Sequence, residues 1–128
     1  MPFRCPQCLT SNSLDIDLSI ELSPDRRSDE ISLQVVTCCD CGFAGLAVYQ
    51  ESHRGELGTE DWNHIGYWVS PDAVHSVREA IQSCPDPYNA RCTCRAHDSL
   101  GEQDIYGIWQ GLLELKSGHT FLMRLFLG

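Results

Sequence analysis

Cys5-Pro6-Gln7-Cys8 and Cys38-Cys39-Asp40-Cys41 each place two residues between paired cysteines, and 29 residues separate the pairs. Two intervening residues let a tight turn aim both sulfurs at one ion, and four thiolates suit a tetrahedral divalent metal, zinc above all. The chain between the pairs must therefore double back. Gly42, directly after the second pair, eases that turn. A lone C-x2-C is also a redox motif, and four cysteines can hold an iron–sulfur centre, but Cys5 follows no βαβ pattern and the two pairs bracket a stretch that reads as a hairpin. A site with four protein ligands has no open position, so its metal would supply folding energy rather than activate water.

The hairpin is legible in the period of the apolar residues. Leu14, Ile16, Leu18, Ile20 and Leu22 alternate with Asp15, Asp17, Ser19 and Glu21, which predicts a strand with one wet face. Pro24 to Asp29 is rich in turn formers, and alternation resumes at Ile31, Leu33 and Val35 on the way to Cys38. Phe43–Gln50 reads as a third strand whose imperfect alternation predicts burial on both faces. Residues 51–67 are polar and contain three glycines, which predicts a long loop anchored by Trp62 and Trp68. Ser70-Pro71-Asp72 is a helix start: a capping hydroxyl, a proline in the first turn and an acid at the positive end. With Val74, Val77 and Ile81 at helical spacing and Pro85 and Pro87 beyond, the helix is expected over 71–83. The apolar segment 106–127, split by Lys116-Ser117-Gly118-His119, predicts a C-terminal β-hairpin, with Leu112–Lys116 readable as a strand or as the end of a short helix.

The two cysteine turns resemble the knuckles of a zinc ribbon, Cys5-Pro6-Gln7-Cys8 the first and Cys38-Cys39-Asp40-Cys41-Gly42 the second, over residues 3–49. The resemblance implies short antiparallel strands between and after the knuckles. It also implies one of several roles: nucleic-acid binder, enzyme appendage or protein adaptor. The acidic first strand, with Asp15, Asp17 and Glu21, departs from the basic or aromatic strands of nucleic-acid-binding ribbons.

A second constellation is Cys84, Cys92, Cys94 and His97. Three thiolates and one imidazole make another structural zinc site by count. An extended Cys92-Thr93-Cys94 would point its sulfurs to opposite faces, so both reach one ion only if the backbone turns there. Three arrangements fit: a second zinc, a single zinc in the protein with free thiols here, or a Cys84–Cys92 disulfide. Cys39 is left over, either a plain knuckle residue or a thiol made reactive by a neighbouring metal.

Charge narrows the function. Eighteen acidic residues against nine basic give −9, spread as −4 over residues 1–50 and −5 over 51–128. One lysine and eight scattered arginines disfavour a phosphate backbone as partner, although Arg26, Arg27, Arg91 and Arg95 would be the residues of any localised basic surface. No apolar run of 18 residues, no signal segment at Met1–Leu9 and no lipidation signal at Gly128 are seen, so a cytoplasmic setting without membrane attachment is expected. His53, Arg54, Glu56, Glu60, Asp61 and His64 share a loop that, with His75 or His119, could furnish a small active site, yet no established catalytic spacing is present. Trp62, Tyr67, Trp68, Tyr88, Tyr106 and Trp109 read either as core or as a peptide-binding or self-association surface.

The expected fold is α+β in one small domain over 1–128. It combines an N-terminal zinc ribbon (3–49) with an α+β part (50–128) holding the second site, the 71–83 helix and the C-terminal hairpin. The expected function is a non-catalytic interaction module with two Zn2+ per chain, binding a basic protein or peptide or self-associating. A metal- or thiol-dependent enzyme using the His53–His64 loop and a nucleic-acid-binding ribbon are the alternatives. No small-molecule substrate is indicated.

Overall fold

Strand pairing turns the period-two segments into one antiparallel sheet with the order β1-β2-β3-β4-β5. The strands are β1 (Leu14–Leu22), β2 (Glu30–Cys38), β3 (Ala44–Ser52), β4 (Asp61–Tyr67) and β5 (Thr120–Leu122), joined by helices α1 (Pro71–Ser83), α2 (Arg95–Leu100) and α3 (Leu113–Lys116). They come from a computed structural model that describes residues 3–52, 61–116 and 118–123. The fold is thus α+β: an antiparallel five-stranded sheet with one main helix. The β1–β2 register runs from Leu14 opposite Cys38 to Leu22 opposite Ile31, with a bulge between Ile16 and Leu18.

Alternation sends β2 into two apolar clusters. Ile31, Leu33 and Val35 join Ile20, Leu22, Leu46 and Val48 beneath Val74, Val77 and Ile81 of α1. On the other face Val36 and Cys38 pack with Phe3, Cys5, Leu14, Phe43, Ala47 and Met123. Burial of each large aliphatic side chain contributes about 1.5–3 kcal/mol, so the central strands carry most of the stability. Helix α1 begins as its sequence dictates: the Ser70 hydroxyl accepts the Ala73 N–H at 3.2 Å, and Pro71 occupies the first turn. Arg78 reaches from α1 to Asp17 on β1 at 2.7 Å.

Two expectations are corrected. The stretch expected to be a long loop ends in a strand, β4, hydrogen-bonded to β3 from Leu46–Tyr67 to Ser52–Asp61. His64 and Gly66 share one face of it, and Gly66 sits under the Phe121 ring, so the glycine that reads as a loop signal is a place for a neighbouring aromatic. Of the expected anchors, Trp68 packs against Phe43 with ring centroids 4.6 Å apart, whereas Trp62 is 65% exposed. Nor, among the described residues of the expected C-terminal hairpin, does any strand pair with another from the same segment. Leu113–Lys116 forms a short helix, and β5 pairs with β4, Phe121 opposite Gly66.

Candidate metal centres

The hairpin β1–β2 returns the chain to the first cysteine turn as predicted. Cys5, Cys8, Cys38 and Cys41 bring their sulfurs within 4.8 Å of one another, and so do the donor atoms of Cys84, Cys92, Cys94 and His97. Each group could hold a metal ion. A tetrahedron with metal–sulfur bonds near 2.3 Å has edges of about 3.8 Å. Among the observed edges are 3.6 Å for Cys5–Cys41, 3.7 Å for Cys8–Cys38, 3.4 Å for Cys84–Cys94 and 3.8 Å for Cys84–Cys92. The last is far from the ~2 Å of a disulfide, and all eight cysteines are free thiols.

The first group is built from two equivalent turns. In one, Leu9 N–H donates to the Cys5 carbonyl (3.0 Å); in the other, Gly42 N–H donates to the Cys38 carbonyl (3.1 Å). The residue closing each turn is left-handed, Leu9 at φ 64° and Gly42 at φ 78°. Backbone amides face the sulfurs: Gln7 N–H lies 3.4 Å from Cys5 Sγ, and those of Asp40 and Cys41 lie 3.3 and 3.4 Å from Cys38 Sγ. Donors aimed at sulfur favour the thiolate. Two polar residues with no distinguishing spacing complete the site. Ser13, buried, sets its hydroxyl 3.3 Å from Cys38 Sγ, and Thr10 lies 3.3 Å from Cys8 Sγ while donating to Asp40 at 2.9 Å.

Electrostatics divides these sulfurs. Burial, helped by the neighbouring sulfurs of Cys41 and Cys38, pushes the Cys5 thiol up to about 12. Burial also opposes ionisation of Cys38, but Ser13 and the amides of Cys41 and Asp40 outweigh it and bring that thiol down to about 6. The Thr10 hydroxyl and amide lower Cys8. Four touching sulfurs do not all ionise unaided; a divalent cation between them reverses that penalty.

The second group joins three element ends. Cys84 is the C-cap of α1, and Cys94 is the N-cap of α2, its sulfur facing His97 N–H at 3.4 Å. The backbone turn required between Cys92 and Cys94 is supplied there: Cys92 N–H closes a turn onto Asn89 (3.0 Å), and the capping conformation of Cys94 redirects the chain into α2. His97 is buried with Nδ1 3.2 Å from Cys84 Sγ and 3.3 Å from Cys94 Sγ, while Nε2 lies 2.9 Å from the Glu21 carbonyl oxygen at the end of β1. Burial raises Cys84 to about 11, and the His97 amide and ring lower Cys94 to about 6. Cys39 is exposed and belongs to neither group.

The loop histidines fare differently. His53, Arg54, Glu56 and Glu60 lie outside the described residues. His64 is on β4, half-buried between Phe3 and Tyr49, its Nε2 2.6 Å from Gln34 Oε1. His75 pairs with Glu79 on the exposed side of α1 at 3.0 Å. Since α1 covers the opposite sheet face, His64 and His75 do not converge. Among the expected aromatics, Tyr88 and Tyr106 are exposed, and the Trp109 indole N–H donates to the Leu100 carbonyl at 2.8 Å. Among the described residues no helix is long and apolar enough to cross a membrane.

Both groups could bind metal, and the first is consistent with a zinc-ribbon-like segment. No protein-family model matches the chain, and no curated protein or solved structure matches it either.

Proposed function

We propose that the protein is a non-catalytic, zinc-stabilised interaction module, with one Zn2+ held by Cys5, Cys8, Cys38 and Cys41 and a second by Cys84, Cys92, Cys94 and His97. The observation that carries this reading is that each group brings four donor atoms within 4.8 Å of one another. A full complement of protein ligands leaves a metal no position for substrate. Sulfur donors favour zinc over calcium or magnesium, and the mixed sulfur–imidazole set suits it equally.

Thiolate ligation deepens the negative charge. Four thiolates on zinc carry a net −2 and three thiolates with neutral imidazole carry −1, so the loaded chain reaches −12 from its formal −9. A charge of that size attracts basic proteins or peptides and repels nucleic acid, within the cytoplasmic setting the sequence suggests.

Metal analysis of the purified chain, followed by cobalt substitution, tests the proposal. Two metals per chain, tetrahedral thiolate spectra at both sites and no spectral response to added cyanide or imidazole are expected. A spectrum that shifts on adding either ligand reveals an open position and moves the reading to a metal enzyme. Salt-sensitive binding of an oligolysine peptide, with none for a DNA duplex, is expected for the partner class.

A further inference from the structure

Where the sheet emerges from under α1, its helix-side face is covered by the segment around Trp109 to Lys116, and the cover is incomplete. Between them lies a cavity of about 260 Å³. One wall is apolar, formed by Tyr67, Trp109, Leu112 and Leu115, all packed on the edge of the main core. The lining also includes Arg27, Lys116 and Gln50, whose side-chain amide donates to the Ser28 hydroxyl at 3.3 Å. Arg27 and Gln50 also line an adjoining cavity of about 370 Å³.

The cavity's frame is held in advance. Buried Asp25 accepts N–H bonds from Arg27 and Ser28 through Oδ1 (2.8 and 2.7 Å) and from Trp109 through Oδ2 (2.7 Å). Arg26 N–H donates to Gly107, and the Gln103 amide donates to Pro24, each at 3.0 Å. These bonds clamp the β1–β2 turn to the 103–109 segment, while the Trp109 ring is fixed by its own bond to Leu100. Ordering costs on binding are correspondingly small.

Charge specifies what would fit. In a chain with nine basic residues against eighteen acidic, Arg27 and the sole lysine line this one cavity, and neither charged group has an ion-pair partner among the described residues. Among the described lining residues Asp25 is the one acid, both its oxygens accepting backbone amides, while Glu51 lines the adjoining cavity and hydrogen-bonds the Tyr49 hydroxyl. Within this lining two cations and one anion leave a single positive charge beside apolar side chains. From this we infer that the cavity binds a monocarboxylate with a compact apolar or aromatic body, its carboxylate between Arg27 and Lys116 and its body against Trp109, Tyr67 and Leu112. A small organic acid and the C-terminal residue of a partner peptide share that chemistry.

None of these residues is a candidate metal ligand, so the test leaves the zinc reading intact whichever way it falls. Zinc-loaded, 15N-labelled full-length protein is titrated with 3-phenylpropionate and with a short peptide ending in a free phenylalanine carboxylate. The matched controls are 3-phenylpropanol and the amidated peptide. Shifts of the Trp109 indole and Gln50 amide signals with either acid, and not with its control, are expected. Response to the small acid alone, the peptide alone or both tells which source the site takes, and each supports the inference. Arg27→Gln and Lys116→Gln should each weaken binding about five- to tenfold, the loss of one charge-assisted contact at a partly exposed site. Arg4→Gln should leave binding unchanged, and unaltered melting and zinc content show that the variants fold. No shift with either acid at about 10 mM, where even millimolar affinity is visible, or equal binding of acids and controls, or undiminished binding by both variants, overturns the inference.

Discussion

The His97 ring bridges a candidate metal centre and the sheet: its Nδ1 faces Cys84 and Cys94, and its Nε2 lies 2.9 Å from the Glu21 carbonyl oxygen. A carbonyl only accepts, so Nε2 must carry the proton and Nδ1 presents its lone pair to the sulfurs. The contact fixes tautomer and ring orientation, as outer partners of metal-bound histidines do. Glu21 N–H also donates to Pro87 at 2.7 Å, so the end of β1 is fastened twice to the cysteine segment.

From that geometry, long-range 1H–15N spectra of the zinc-loaded protein should show His97 protonated at Nε2 and metal-shifted at Nδ1. The reverse assignment would contradict the donor set. His97→Ala should lower bound zinc from two per chain towards one while leaving the first site filled.

The cysteines should divide sharply in their effect on folding. On the proposed zinc reading, replacing Cys8 or Cys41 by alanine leaves three donors at the first site and should cost several kcal/mol, because binding energy at a structural metal site is folding free energy. Cys39 is exposed and outside both groups, so Cys39→Ser should stay within about 0.5 kcal/mol. Urea unfolding in the presence of zinc measures both. Equal stabilities for the Cys8 and Cys39 variants would remove the structural role of the first site.

Helix α1 and strands β1–β3 were readable because a single periodicity dominates each: Val74, Val77 and Ile81 on a helix stripe, Ile31, Leu33 and Val35 on a strand face. The two candidate donor groups are legible from spacing in the first case and from composition in the second. β4 is not, since Asn63, His64 and Gly66 carry polar or absent side chains, and only pairing with β3 and the cover of Phe121 make a strand of them. The supports of the sites were hidden for a different reason. Ser13 and the Glu21 carbonyl reach their partners through tertiary proximity, as Thr10 reaches Asp40, and no sequence period reports a backbone oxygen aimed at an imidazole.

The two cysteine turns invite a reciprocal exchange. Leu9 holds at φ 64° the place that Gly42 fills at φ 78° in the matching turn. A left-handed L-residue costs about 1–2 kcal/mol, and its side chain is 58% exposed, so little packing offsets the strain. Leu9→Gly should therefore leave stability unchanged or raise it by up to about 1 kcal/mol, after the greater entropy of an unfolded glycine. Gly42→Ala should lower it by about 1 kcal/mol. A Cβ there meets nothing within 4 Å, so the loss is conformational. Thermal melts at fixed zinc check the pair, and a stabilised Gly42→Ala would refute the shared-turn geometry.

Acid should act through His64. Burial holds its imidazole below the usual histidine range, among Phe3, Tyr49 and the Gln34 amide, with Glu51 bonded to the Tyr49 hydroxyl nearby. The unfolded chain takes up the proton first, near pH 6.5. The neutral ring's contribution is thus complete above that value and lost as pH falls through the lower folded value. His64→Gln should flatten the stability profile below about pH 6.5 relative to the parent, both measured with zinc retained. Parallel profiles would place the acid sensitivity elsewhere.

Gly66 and Phe121 make a pair in which one side chain exists because the other does not. They face each other across β4 and β5, and a Cβ built on Gly66 runs into the Phe121 ring. That ring also packs edge-on against Phe43 and Trp68, with centroids 5.8 and 6.2 Å away, so it has little room to yield. Gly66→Ala should cost about 1–3 kcal/mol, the usual range for overpacking. Phe121→Ala should also destabilise, through lost aromatic burial. If the cost of Gly66→Ala is the collision, it should largely vanish in the Phe121→Ala background, giving a coupling of 0.5 kcal/mol or more in a double-mutant cycle by chemical denaturation, about the threshold for residues in contact. Additive losses would mean instead that Gly66 is needed for its backbone alone, and that β5 is held to β4 by something other than the ring lying over the glycine.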